Sequence, residues 1–456
     1  MTGMSRKLEQ PLPVRPLVVG LGRTGLSCLR YLRELGLRVT VTDSRAAPPG
    51  LDAVRQEMPD VEVFVGGFDE KAFAAAGCLV LSPGVPLTEP RVVAALRWGI
   101  PVLGDVELFA RVAAAPVAAI TGSNGKSTVT SLLGHMALTA GLGVAIGGNL
   151  GEPALSLLDE GVELYVLELS SFQLETTESL APRAAAILNI SPDHMDRYPS
   201  LAAYAEAKAR ILRGAEWAIV NRDDPQVAAM APAEAKVRGF TLEAPAAADF
   251  GLIETQDEPW LARGSEPLMP ARELPVAGRH NLANALAALA LGEACGLSAE
   301  PMLAALRTFR GLPHRTVLIA VKGGVSWYDD SKGTNPGATV AALQGLVAPA
   351  GTARAVLIAG GACKGADFSV LATVVPSLAR AVVLIGRDAL RIERVLRDRV
   401  ELLYAADMDE AVRLAGSAAR PGDCVLLSPA CASFDMFDNF EHRGRVFAEA
   451  VGRLPA

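Results

Sequence analysis

The chain has 456 residues, half of them apolar and 20% charged, with a formal net charge of −7. That length fits about three domains of ordinary size, and the acidic balance excludes a general nucleic-acid binder, which needs a basic face to neutralise phosphates. No stretch reaches the ~18 uninterrupted apolar residues of a membrane helix, the polar start MTGMSRKLEQPLPVRP lacks a secretory apolar region, and the six cysteines (Cys28, Cys78, Cys295, Cys363, Cys424, Cys431) form no C-x-x-C pair or Cys/His cluster. A cytoplasmic protein with reduced, buried thiols and no membrane insertion is expected, and any anion it binds must be held by locally placed cations.

Residues 16–103 alternate short apolar strands with amphipathic helices: PLVVG, a helix over Leu26 to Leu35, RVTVTD, CLVLSPG, then a helix over Pro90 to Trp98. The alternation predicts a parallel sheet with crossover helices. Gly20-Leu21-Gly22-Arg23-Thr24-Gly25 is a G-x-G-x-x-G turn, and Asp43 closes the next strand 18 residues after Gly25. That is a dinucleotide fingerprint, so a nicotinamide-dependent oxidoreductase stands as one reading, although a lone fingerprint is weak evidence.

A second strand–helix series starts at VAAITGSNGKS, continues through YVLELSS, AAAILNI and WAIVN, and leads to the helix HNLANALAALALGEACG. The tract APAAADFG at 244–251 is expected to be a surface loop. A third series contains AVLIAGG, AVVLIG and CVLLSPA. Joins near Gly104 and at Gly311 to Pro313 predict three domains, 1–104, 105–311 and 312–456, all α/β. The first and last are expected to be Rossmann-like, and the central one a mononucleotide-binding domain with a phosphate loop.

That loop is TGSNGKST at 121–128, set between an apolar strand and a helix. Its glycines let backbone N–H groups face phosphate oxygens, the helix N-terminus adds partial positive charge, and Lys126 adds a mobile full charge. Ser127 is placed to ligate Mg²⁺ through its hydroxyl. Position 120 is isoleucine where the standard pattern has glycine, so the loop is a shortened variant. Glu168, ending the apolar strand of YVLELSS, and His194 in SPDHMDRY sit at strand exits, where ligands gather in open α/β sheets. A lone histidine is as readily structural as catalytic.

With these motifs stand GGNLG, AKARI, FRGLPHR, DDSKGTNPGAT, GGACKGADFS and SPACASFDMFDNFEHRG. In this order and over essentially the whole chain they resemble the Mur ligase family, most closely its members that add D-glutamate to UDP-N-acetylmuramoyl-L-alanine. The resemblance implies an ATP-dependent ligase of cytoplasmic peptidoglycan precursor synthesis, a monomer using two Mg²⁺ ions, with Mn²⁺ as an alternative. It implies phosphate contacts from Gly122, Ser123, Asn124, Gly125, Lys126, Ser127 and Thr128, adenine contacts from Asn281 and Asn284, Arg315 reaching across from the third domain, and Asp330 near the ribose. Ser127 and Glu168 would hold one metal, and His194 with a carbamylated Lys208 a second. Lys332 and Lys364 would lie at the reacting centre, so that Lys126, His194, Lys208, Lys332 and Lys364 form the catalytic set. Thr334, Lys364, Ser433 and Phe440 would receive D-glutamate.

The resemblance gives the first domain to the uridine nucleotide rather than a dinucleotide, through Arg23, Thr24, Asp43, Ser44 and Arg45, with Gly84, Asn149 and His194 continuing the channel. On residue type alone, the two asparagines read equally as helix caps and Lys208 as an exposed helix lysine. Folylpolyglutamate synthase and the sister Mur ligases are the nearer alternatives, but the Asp-Asn-Pro-Arg signature of diaminopimelate addition is absent. Because the nucleotide residues come from two domains, the third is expected to swing in as ligands bind.

Overall fold

Apolar runs of two to seven residues, punctuated by helices, build three successive sheets. The computed structural model describes residues 15–455 apart from 256, 277, 348–350 and 364. In the first sheet the strand order is Glu62–Val65, Thr40–Asp43, Pro16–Val19, Cys78–Leu81, Val102–Leu103, all parallel. Pro16–Val19 and Cys78–Leu81 are buried along their whole length. Their continuous apolar sequence follows from having both faces covered, one by Leu29, Leu32 and Phe109, the other by Phe73 and Val92. Strand order reverses between Pro16–Val19 and Cys78–Leu81, which opens a crevice at their C-terminal ends. The helix Arg23–Glu34 enters that crevice closely, because a Cβ on Gly25 would stand 1.9 Å from the Gly20 carbonyl oxygen.

The second sheet has nine strands, in the order Glu266–Pro270, Glu258–Arg263, Phe250–Thr255, Lys236–Phe240, Trp217–Asn221, Ala184–Ile187, Val117–Thr121, Leu164–Glu168, Val144–Gly148. It is parallel except for the meander formed by its last three strands in sequence. The expected surface loop at 244–251 is therefore too long. Phe250 and Gly251 already pair with Arg263 and Ala262, and the buried Phe250 ring is drawn into the core. Residues Ala285 to Leu291 are all buried in the helix Arg279–Ala294, which packs beside Lys126–Thr139. A helix so enclosed must be apolar on every face, which its Ala/Leu sequence provides.

The third sheet runs Val317–Lys322, Val325–Asp329, Cys424–Leu427, Ala355–Gly360, Ala379–Ile385, Glu401–Tyr404, parallel apart from the opening hairpin. Among the described residues no helix is long and apolar enough to cross a membrane.

Candidate active site

Three neighbouring strands of the central sheet end side by side and deliver the loops after Thr121, Glu168 and Ile187 to one place. The first loop turns into the helix Lys126–Thr139 through Gly125, whose φ of 84° suits glycine. A Cβ there would also meet Asn284 Oδ1 at 2.5 Å. Asn189 holds the turn by accepting from Asn124 N at 2.8 Å and donating to Asn124 O at 3.1 Å. Lys126 Nζ folds back to donate to the carbonyls of Gly122 (2.9 Å) and Ser123 (3.0 Å).

Around this loop lies a cavity of about 430 Å³ lined by residues from the central and third domains, including Ser123 to Ser127, Asn149, Glu168, His194, Lys208, Arg315, Lys332, Thr334, Ser433 and Phe440. Arg315 spans the junction, donating from Nη2 to Ser127 Oγ at 2.7 Å. Glu168 is only 3% exposed. Its Oε1 accepts from Asn149 Nδ2 at 2.7 Å, while Oε2 is buried and makes no hydrogen bond among the described residues. Burial opposes its ionisation, but the Lys126 ammonium, with Ser127, Asn149 and Arg315 alongside, holds its pKa below the usual carboxylate value. Burial lowers the pKa of Lys126, with Glu168 and Asp193 pulling the other way.

Lys208 is 1% exposed, which overturns its reading as a solvated helix lysine. Its Nζ donates to Thr121 Oγ1 at 3.3 Å and lies 4.7 Å from the centre of the Tyr204 ring. Burial, then repulsion from Lys126, pushes its pKa well below that of a free lysine, which favours the neutral amine. His194 has a φ of 56° and packs edge-on against Phe172 at 4.8 Å between ring centres. Lys332 sits 3.8 Å above the Phe440 ring, and burial with the Arg315 charge lowers its pKa to about 8. Lys364 lies outside the described residues. Among those described, no three His, Cys, Asp or Glu side chains converge as a metal-binding group.

A second cavity, about 330 Å³, shares Asn124, Gly125, Arg315 and Lys332 with the first and continues past Thr128, Asn281, Asn284 and Asp330. Asn284 Nδ2 donates to Asn281 Oδ1 at 3.2 Å. The N-cap position of this helix is Gly278, so neither asparagine stands there. Asp330 accepts from Thr316 N (3.1 Å), Thr316 Oγ1 (3.2 Å) and Ser428 Oγ (2.7 Å), yet burial still raises its pKa to about 7.

The third cavity, about 550 Å³, lies at the crevice of the first sheet and joins the central one through Asn149. It gathers Arg23, Thr24, Asp43, Ser44, Arg45 and Gly84, whereas His194 lines only the central cavity of the three. The Asp43 carboxylate accepts from Leu21 N (2.6 Å) and from Arg45 N (2.8 Å), Nε (2.9 Å) and Nη2 (2.7 Å). It is thus occupied in shaping the turn and aiming Arg45, instead of presenting the open carboxylate that a dinucleotide ribose requires. Arg23 is exposed and pairs with Glu152 at 3.0 Å.

Several residues of this site escape a reading by motif. Arg197 fastens the first domain to the centre, donating from Nη1 to Pro83 O and from Nη2 to Glu175 Oε2, both at 2.8 Å, with its guanidinium 4.2 Å from the Phe172 ring centre. Asn335 of the third domain donates to Asn124 Oδ1 at 3.0 Å and Asp193 Oδ2 at 3.3 Å. The run SPDHMDRY contains Asp193 and Arg197 as well as His194, and its density of polar residues after a buried strand was the available signal.

Comparison with known proteins agrees with this arrangement along the chain. Residues 15–104 match the MurD-like N-terminal domain of Mur ligases, 120–292 the Mur ligase middle domain, and 314–431 the Mur ligase glutamate ligase domain. The chain is 55% identical to the UDP-N-acetylmuramoylalanine--D-glutamate ligase of Nitrosococcus oceani over 452 residues, covering 99% of each. It is 52% identical to that of Marinobacter nauticus, covering 96% of this chain and 98% of the relative. Among solved structures, the UDP-N-acetylmuramate-alanine ligase of Thermotoga maritima shares the fold at a TM-score of 0.60 and 19% identity, over 95% of this chain and 98% of that one.

Proposed function

The chain belongs to the Mur ligase family, and from that premise we propose that it joins D-glutamate to UDP-N-acetylmuramoyl-L-alanine, converting ATP to ADP and phosphate in peptidoglycan precursor synthesis. The observation that carries this reading is the joined run of cavities: a crevice in the first domain opens through Asn149 onto Lys126, and from there onto Asn284 and Asp330. A sugar nucleotide entering from the first domain and ATP from the third would meet at the phosphate loop.

In the first step an alanyl carboxylate oxygen attacks the γ-phosphorus, the bond to the β–γ bridging oxygen breaks, and ADP leaves an acyl phosphate behind. The amine of D-glutamate then attacks the acyl carbon, loses a proton, and phosphate departs with the acyl C–O bond. Lys126, Arg315 and Lys332 line the site of transfer and neutralise charge on the phosphoryl oxygens. The folded-back Lys126 ammonium needs only to exchange two loop carbonyls for phosphate oxygens. Thr334, Ser433 and Phe440 sit across the cavity, where they would seat D-glutamate, with Lys364 assigned the same role.

Ser127 with Glu168 would hold one Mg²⁺, and His194 with a carbamate on Lys208 a second. The buried, unpaired Oε2 of Glu168 and the depressed pKa of Lys208 suit those roles. Bound metal would supply further neutralisation of the phosphates. We assign catalysis to a monomer in the cytoplasm that closes its third domain over the nucleotide. The test is phosphate release from ATP with UDP-N-acetylmuramoyl-L-alanine and either D-glutamate, L-glutamate or diaminopimelate. Release that requires D-glutamate is expected, and equal release with another amine would overturn the assignment.

A further inference from the structure

Two cysteines that the reaction does not use lie on bridged loops beneath the amino-acid end of the cavity. Ala362 and Ala432 form an antiparallel bridge, exchanging both backbone hydrogen bonds at 2.9 Å. One step on from that isolated bridge come Cys363 and Cys431, and in a regular antiparallel ladder such a non-hydrogen-bonded pair brings its Cα atoms to about 4.5 Å. That is inside the ~4.4–6.8 Å range a disulfide spans. The Cβ of Cys431 lies 3.2 Å from where a Cβ on Gly361, two residues before Cys363, would stand. Both thiols belong to one core cluster.

The pair is also chemically unequal. Arg391, itself exposed, donates from Nη1 to Cys363 Sγ at 2.7 Å, and Asp388 Oδ2 accepts from Cys363 N at 2.8 Å. Cys363 is 5% exposed and lies under that arginine, whereas Cys431 is 0% exposed. Cys363, beneath the exposed Arg391, is the thiol that a peroxide from solvent reaches first, so it is the attacking sulfur and the fully buried Cys431 the resolving one. Burial raises the Cys431 pKa, which keeps that thiol protonated until it reacts.

We propose that Cys363 and Cys431 form a reversible modification site, which closes to a disulfide under a peroxide and ties together the two loops that flank the amino-acid subsite. Cys363 sulfur attacks a peroxide oxygen, the O–O bond breaks, and the leaving oxygen takes up the thiol proton as water, giving a sulfenic acid. Cys431 sulfur then attacks that sulfur, the S–O bond breaks, and the hydroxyl leaves with the Cys431 proton as a second water. Two thiols are oxidised by two electrons and one hydrogen peroxide is reduced to two waters. The disulfide lies directly before Lys364 and two residues before Ser433 in sequence, so it stiffens the loops that carry Cys363 and Cys431. In a reducing compartment such a bond forms transiently, as regulatory disulfides do.

The experiment is mild hydrogen peroxide treatment of the whole folded chain, followed by peptide mapping by mass spectrometry without reduction. A 363–431 cross-linked peptide, lighter by two hydrogens and reversed by dithiothreitol, is expected. Sulfinic or sulfonic acid at either residue with no cross-link, or unchanged thiols there while other cysteines oxidise, would overturn the site. The tying of the loops rests on the proposed function, whereas the mapping does not, so failure of one is distinguishable from failure of the other. The KM for D-glutamate is expected to rise about fivefold or more on oxidation while the KM for ATP stays constant, with both constant in peroxide-treated Cys363→Ala. A cross-link that leaves the D-glutamate KM unmoved would overturn the tying.

Discussion

The chain uses the strand–glycine-turn–helix device twice, at Gly20 to Gly25 and at Gly122 to Gly125, and the two copies differ in where their charges lie. At the first turn the cationic side chains Arg23 and Arg45 are about 68% and 51% exposed, each paired with a carboxylate. At the second, Lys126, Lys208, Arg315 and Lys332 crowd a junction in which burial depresses the pKa of every one of them. Backbone N–H groups suffice to recognise a phosphate. Transferring one takes fixed positive charge in a site with little water, where each charge acts more strongly. Under the proposed function, the first turn therefore binds and the second reacts.

That contrast is broken most sharply at Lys126. Lys126→Ala should lower kcat by ~100–1000-fold, about 3–4 kcal/mol of transition-state stabilisation, without lowering the melting temperature, and a change in KM alone would contradict the assignment. Next is Lys208→Met, which keeps the volume and removes the amine. We expect ~10–100-fold lower activity with a melting temperature unchanged or raised, because a costly buried amine is gone. A drop in stability would make Lys208 structural instead.

Lys332 sharpens the comparison through pH. Its folded pKa lies at about 8, below that of a free lysine, so the cation is present below that pH and lost above it. The profile of kcat/KM should fall on the basic side with a midpoint near pH 8, and Lys332→Met should be slower and lack that limb. At the first turn the effects should be smaller and confined to binding. Asp43→Asn loosens Arg45 and should raise the KM for the sugar nucleotide about tenfold, on the scale of ~1.5 kcal/mol for a hydrogen bond to a charged group, with kcat constant. Arg23→Ala removes an exposed ion pair worth under ~1 kcal/mol. Its effect on the same KM should stay within about twofold, measured by the same steady-state assay.

Much of the site was legible in advance because the signals are local. Glycines, lysine and serine within eight consecutive residues, set between an apolar strand and a helix, define the phosphate loop without reference to distant residues. The same holds for the first glycine turn and for the strand exits at Glu168 and His194. The meander from Phe250 to Pro270 was missed because its strands carry Pro259 and Pro267 and are stabilised by pairing more than by an apolar period of their own. Asn189, Arg197 and Asn335 carry no local mark of the group each will meet. Each gains its role from a partner 65 to 211 residues away, and chain composition does not encode which distant group a polar side chain will meet.

From the sequence by itself came the three α/β series and the phosphate loop, since short-range periodicity and glycine turns are dictated by backbone sterics within a few residues, while the family came from the resemblance carried by the ordered motifs. Only the tertiary structure decided that Lys208 is buried, that Asp43 serves Arg45, that Gly278 and not Asn281 stands at the N-cap of its helix, and that Cys363 and Cys431 share one core cluster. Burial and register are properties of the packed chain: they decide whether a charge is solvated or forced to find a partner, and that is settled where strands from distant parts of the sequence come together.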